Sequence, residues 1–174
     1  MTTKIKIVIL TIERRMHLAE VTKQSLLDNG VLEEQIEIIK GYDKENYPDM
    51  KRPYLLVLMA FYKWVLKYAI DNDTSIFYTQ CGTLFKENPL EIPIVKDKIN
   101  WLGYIKNMKH YIVGAKLIYI PLSIIKDLNS LEKKPKARID RVIRNYGLKH
   151  DCLVVADKSH TTLQEYESAW GTKH

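Results

Sequence analysis

KIKIVILTIERRMHLAEVTKQSLLDNGVLEEQIEIIKGYD, residues 4–43, is the stretch that decides the fold. Its opening, Lys4–Leu10, is dominated by isoleucine, valine and leucine and predicts a buried strand. Leu18, Val21, Thr22, Ser25 and Leu26 then recur at spacings of three and four, the period of a helix face. Asn29-Gly30 closes that helix, because glycine tolerates the left-handed conformation of a helix end. Gln35–Ile39 predicts a second strand, stopped by Gly41 and Asp43. Strand, helix and strand in this order begin a parallel sheet, since parallel neighbours need a crossover between them.

The pattern repeats downstream. Glu45–Pro53 is polar, holds two prolines and reads as a loop. Leu55, Leu58, Met59, Tyr62, Val65, Leu66 and Ala69 mark one face of a helix, Asp71-Asn72-Asp73 makes a turn, and Ser75–Thr79 is a third strand. Two such units in succession are the signature of an open α/β sheet, with ligands expected beyond the carboxyl ends of its strands. In the second half, short strands are expected at Ile92–Val95, Asn100–Tyr104, Leu117–Ile120 and Cys152–Ala156. One helix should run from Leu122 to Leu131, entered through Pro121, and another from Lys136 to Tyr146, closing at Gly147. The latter buries Ile139, Val142, Ile143 and Tyr146 and leaves Arg138 and Arg141 towards water or ligand. The segment after Ala156 has little periodicity and reads as a surface tail.

The whole chain has 174 residues, enough for one well-filled core. With 46% hydrophobic and 28% charged residues it does not read as a disordered chain, and its seven glycines and six prolines form no linker. A net charge of +6 favours an anionic partner: nucleoside diphosphates, nucleic acid and acidic membrane surfaces all fit, and so does solubility alone. Cys81 and Cys152 lie far apart, match no metal spacing and read as reduced thiols. Ile5–Leu10 is too short to cross a membrane and lacks a signal-peptide pattern, so no membrane span and a cytoplasmic location are expected.

That order of elements resembles the GT-A glycosyltransferase fold, and more closely the lipooligosaccharide and collagen-type glycosyltransferases. IVILTIERR (7–15) looks like the family's first strand and arginine-bearing loop, followed by a helix and a strand ending near Asp43. LMAFYKWVLKYAIDNDTSIFYTQCGTLF (58–85) is similar to its helix, third strand and acidic motif. VGAKLIYIPLSIIKDL (113–128) resembles the acceptor-side stretch, in which a glycine precedes a strand and a helix, and ARIDRVI (137–143) the segment carrying a functional aspartate. The resemblance implies an α/β fold with an open mixed sheet flanked by helices. It also implies one domain over residues 1–174, with a nucleotide-binding half (1–82) and an acceptor-side half (83–174). The expected activity is transfer of a sugar from a nucleoside diphosphate sugar to an acceptor hydroxyl. The chain is small for this type, which leaves room for a homo-oligomer that completes the acceptor site.

One departure matters. Where the family carries a pair of carboxylates for a divalent cation, this chain has Thr79, Gln80, Cys81 and Gly82. Hard cations such as Mn²⁺ or Mg²⁺ need oxygen ligands, usually carboxylates. Asp71-Asn72-Asp73 has the acidic form but precedes the strand, at the wrong end of the sheet. Three explanations stand: arginine and lysine neutralise the leaving phosphate without metal, carboxylates outside the usual motif such as Asp43 and Asp140 recruit Mn²⁺ or Mg²⁺, or catalysis is lost. The last would leave a noncatalytic nucleotide- or nucleic-acid-binding module on the same fold.

The candidate residues follow from these positions. Thr11, Arg14 and Arg15 follow the first strand, where arginine's planar fork suits phosphate oxygens; two cations at a helix start otherwise oppose its dipole. Asp43 either accepts hydrogen bonds from a base or ribose or is a turn aspartate. Gln80, Cys81, Gly82, His110 and Gly114 are expected to line the donor and acceptor cleft, with Cys81 a packing residue rather than a nucleophile. Asp140 is either the catalytic base or a helix carboxylate paired with Arg144 four residues on. Trp64 and Tyr62, on the long helix, read as packing residues.

Overall fold

The computed structural model describes residues 5–106 and 112–163. Strand β1 (Ile5–Thr11) lies between β2 (Ile36–Lys40) and β3 (Ser75–Gln80) and pairs with both in parallel. The sheet continues antiparallel from β3 to β6 (Ile112–Ile120) and from β6 to β5 (Ile99–Lys106), and ends on β7 (Leu153–Val155), parallel to β5. The order is β2-β1-β3-β6-β5-β7, and a separate ribbon pairs β4 (Thr83–Phe85) with β8 (Thr161–Leu163). This is the mixed α/β sheet flanked by helices that the sequence predicts.

Alternation along the strands sorts the core into two layers. Ile7 and Ile9 of β1, Phe77 of β3 and Leu117 and Tyr119 of β6 face helix α1 (Met16–Asp28), which contributes Leu18, Ala19 and Leu26. Val8 and Leu10, Ile76 and Tyr78, and Ile118 and Ile120 face the opposite layer. That layer holds a long helix in three parts, α2 (Tyr54–Ala60), a π turn (Phe61–Val65) and α3 (Leu66–Asp71), together with α4 (Leu122–Ser130) and α5 (Ile139–Lys149). The β1–α1–β2 crossover and the β3-bound helix thus cover opposite faces. The strand order reverses between β1 and β3, the kind of position at whose carboxyl ends open α/β sheets hold their ligands.

Four expectations need correction. Ile92–Val95 is not a strand: Pro93 has no N–H for a ladder, and the Val95 N–H donates to the Asn100 side chain (3.0 Å), whose amide donates back to the Val95 carbonyl (2.8 Å). The last helix starts at Ile139 rather than Lys136 and runs through Gly147 to Lys149. Gly147 is there for closeness, since a Cβ on it would sit 2.8 Å from Leu153 Cβ. The last strand of the mixed sheet's antiparallel pair begins at Ile112, so Gly114 lies within β6 instead of ahead of it. Finally, the stretch after Ala156 is not all surface tail, because Thr161–Leu163 pairs with β4.

Candidate functional site

Beyond β1 the chain makes a tight 3-10 turn, Glu13–Arg15, held by Arg15 N–H to the Ile12 carbonyl (2.9 Å) and by the Thr11 hydroxyl donating to the Arg15 carbonyl (3.2 Å). Thr11 is buried, and the long Arg15 side chain is only 7% exposed. Arg14 points the other way and reaches Asp43 beyond β2, with Nε 3.4 Å from Oδ1. Asp43 is 5% exposed, and its carboxylate also accepts from the Glu45 N–H at 3.2 Å. The loops after β1 and β2 are therefore joined by one buried carboxylate: Arg14 pairs with Asp43, and Thr11 bonds the Arg15 carbonyl.

The end of β3 closes the floor. Cys81 N–H donates to the Leu10 carbonyl at 3.2 Å, and Gly82 N–H turns onto α1, meeting Thr22 Oγ1 at 2.9 Å. Gly82 has φ +88°, which explains the glycine: it makes a turn against the helix. Burial pushes the Cys81 thiol up, against a hydrogen bond with Thr11 and the positive charges of Arg15 and Lys116. Cys81 is buried with the core residues on the α1 side of the sheet.

The pairing of β3 with β6 ends at Thr79 and Leu117, and Gln80 and Lys116 are the next residues of the two strands. Thr79 Oγ1 donates to the Lys116 carbonyl at 2.6 Å and fixes the strand there. Lys116 is 4% exposed, and burial pushes its ammonium down to about 8. The neighbouring titratable groups are the Cys81 thiol, Arg138 and Asp140. Asp140, in the first turn of α5, is gripped by Arg138 with Nε–Oδ1 and Nη2–Oδ2 both at 3.2 Å. This forked pair fixes the one carboxylate of ARIDRVI at the start of α5.

Sequence reasoning missed two features. Lys116 lies in an otherwise apolar run, GAKLIYI, and that lone cation was the available signal. The other is an aromatic shelf at the mouth of β2, where Tyr42 stacks on Trp64 (centroids 4.4 Å, 26°) and meets Tyr47 edge-on at 5.4 Å. Lys63 Nζ lies 5.7 Å from the Trp64 ring and 6.0 Å from Tyr42. Trp64 belongs to the π turn, an element that recurs at functional sites. Its partner is remote in sequence, so helical spacing alone does not reveal the stack. His110 lies outside the described residues, and Gly114 sits in β6 on the same strand as Lys116.

The acidic turn Asp71-Asn72-Asp73 is at the opposite, amino end of β3, where Asp71 pairs with Lys67 (2.6 Å) and Asp73 takes φ +50°. Among the described residues no three of His, Cys, Asp and Glu come together, and Asp43 and Asp140 are each held by an arginine. These residues do not fit a resident divalent cation, whose hard charge needs free oxygen donors rather than guanidinium neighbours.

No family model and no curated protein matches the sequence. Among the described residues, no helix is long and apolar enough to cross a membrane. Among solved structures, the fold is similar to a glycosyltransferase involved in the glycosylation of the major capsid of PBCV-1. The TM-score is 0.56 at 12% identity, over 87% of this chain and 82% of that one. At such identity the likeness establishes a glycosyltransferase-like fold and nothing finer.

Proposed function

We propose that this chain transfers a sugar from a nucleoside diphosphate sugar to an acceptor hydroxyl, and that it does so without a resident metal. The observation that carries the reading is the Arg14–Asp43 ion pair, which joins the loops at the carboxyl ends of β1 and β2, beside the strand-order reversal of a glycosyltransferase-like sheet. Residues 1–82 would hold the nucleotide. Asp43 would accept hydrogen bonds from base or ribose, the Tyr42–Trp64 shelf offers an aromatic face beside it, and the arginines would face the diphosphate. Residues 83–174 would present the acceptor.

In the reaction, the acceptor oxygen bonds to the anomeric carbon as the bond from that carbon to the diphosphate oxygen breaks. The departing oxygen takes the electron pair, and guanidinium groups already in place stabilise its charge. The acceptor proton goes to Asp140, once its carboxylate exchanges Arg138 for the hydroxyl.

A second reading, a noncatalytic nucleotide- or nucleic-acid-binding module, is favoured by one observation: Asp140 is already engaged by Arg138 on both oxygens. The experiment that separates the two is turnover of a panel of nucleoside diphosphate sugars by the purified protein. Sugar transfer to an acceptor, or slow hydrolysis to the nucleoside diphosphate, supports the enzyme. Binding without turnover supports the module, and steep weakening of polynucleotide binding with salt identifies a nucleic-acid partner.

A further inference from the structure

We infer that the acceptor is an anionic oligosaccharide, its sugars bearing carboxylate or sulfate groups, and that it docks on Lys133, Lys134, Lys136 and Arg141 around Asp140. The inference rests on the sugar-transfer reading and names the acceptor class for it. Residues 132–141, EKKPKARIDR, carry five cations against two carboxylates, a surplus of three that is half of the chain's net +6. They join α4 to the first turn of α5. Pro135 has no N–H and disfavours a helical Lys134, so the stretch does not fuse the two helices. Leu131 and Ala137 pack against the core at its two ends, and Lys134 Nζ donates to the Leu131 carbonyl (3.3 Å) and lies 5.9 Å from the centre of the Tyr62 ring. Lys133, Lys134, Lys136 and Arg141 are exposed, and among the described residues they enter no ion pair. Like charges gathered this closely repel one another, and an anionic partner relieves that repulsion.

Position selects the partner. The stretch runs into Asp140, the group that takes the acceptor proton in the proposed reaction, and Asp140 is near Lys116, whose carbonyl is bonded to Thr79 of β3. A molecule held by these cations therefore brings its hydroxyls to the carboxyl end of β3. Two other anionic partners fit less well. The exposed large apolar side chains of the described residues, such as Leu32, Met59 and Leu148, all lie outside residues 132–141, so none there would enter the apolar layer of a membrane. Single-stranded nucleic acid uses open aromatic faces between cations, whereas the ring against this loop, Tyr62, lies beside Lys134 with its hydroxyl buried. An acidic oligosaccharide needs only the cations, because its hydroxyls remain in water.

The test is fluorescence anisotropy with end-labelled maltohexaose (neutral), hexagalacturonate (carboxylate) and a heparin-derived hexasaccharide (sulfate). The proteins are the unmodified chain, the loop variant Lys133→Gln/Lys134→Gln/Lys136→Gln, and Lys86→Gln/Lys96→Gln/Lys158→Gln, which removes the same charge from exposed lysines elsewhere. The unmodified protein should bind at least one acidic hexasaccharide and not maltohexaose, and which one binds identifies the group. The loop variant should bind it roughly 10-fold or more weakly, and the charge-matched variant within about 2-fold of the unmodified protein. If the loop variant melts early, Arg141→Gln alone should weaken binding by about 2- to 3-fold, and no change in that variant overturns the inference. Equal losses in the two triple variants overturn it, since net charge alone then accounts for the binding. Tighter binding of a single-stranded DNA oligonucleotide, or of phosphatidylserine vesicles, through the same lysines overturns the choice of a glycan. Sugar nucleotides should raise the Tm of the loop variant as much as that of the unmodified protein. A preserved Tm shift without selective loss of glycan binding removes this inference alone. No Tm shift with any sugar nucleotide removes the sugar-transfer reading and the acceptor role with it.

Discussion

Arg14 Nε lies 3.4 Å from Oδ1 of Asp43, so the loops after β1 and β2 are tied by an ion pair whose carboxylate is buried and whose guanidinium reaches solvent. Most exposed pairs contribute little, but this one encloses a carboxylate that would otherwise be left without its charge partner. Arg14→Ala should therefore lower stability by about 1–3 kcal/mol, measured by urea unfolding. Asp43→Asn, which removes the charge together with the need for a partner, should cost less. A loss below about 0.5 kcal/mol for Arg14→Ala would show that water replaces the arginine and that the pair does not organise the two loops.

Lys116 predicts an unusual dependence of stability on pH. Its pKa is lowered in the folded state, from the ordinary 10.5 to about 8, so between those values the unfolded chain binds the extra proton. Stability should accordingly rise with pH through this window, and the penalty is fully present below about 8. Lys116→Met should be more stable than the unmodified protein at neutral pH, by on the order of 2–3 kcal/mol, and should lack that rise. Thermal melts of both proteins from neutral to alkaline pH are the check. Identical profiles would mean that the ammonium is well solvated in the folded protein.

Asp140 distinguishes transfer from binding. With a donor and acceptor that turn over, Asp140→Asn should lower kcat by roughly a hundredfold or more, the scale of a lost general base. Its effect on donor affinity should be small, because Asn keeps the size and part of the contact with Arg138. If turnover is intact, Asp140 serves only to anchor the start of α5 through Arg138, and the base lies elsewhere.

The first half of the fold was legible because its signals are local and agree with one another. β1 and β3 are buried on both faces and read as continuous apolar runs, while α1 and the long helix show the helical period. The second half was less so. Ile92–Val95 has the composition of a strand, but its backbone is bonded to Asn100; Thr161–Leu163 is a strand only because β4 is there to pair with it. The site divides in the same way. Thr11, Arg14, Arg15 and Asp43 lie at or just past strand ends and were legible as candidates from that position alone. Lys116 and the Tyr42–Trp64 stack were not, since each depends on groups brought from distant parts of the chain.

Mn²⁺ is expected to bind weakly or not at all in calorimetry, alone or with a nucleoside diphosphate, because Asp43 and Asp140 are committed to Arg14 and Arg138. Tight binding abolished by Asp43→Asn or Asp140→Asn would show that a donor releases these carboxylates from their arginines to form a cation site.

The most direct measurement is a thermal-shift titration with a panel of nucleoside diphosphate sugars on the unmodified protein and on the Arg14→Ala/Arg15→Ala double variant. A ligand that binds the folded state raises Tm by mass action. At least one sugar nucleotide should raise the Tm of the unmodified protein, and the double variant, compared with its own ligand-free melt, should lose most of that shift. A full shift in the double variant would place the nucleotide away from the carboxyl ends of β1 and β2. No shift with any sugar nucleotide would contradict a sugar-nucleotide site in this fold.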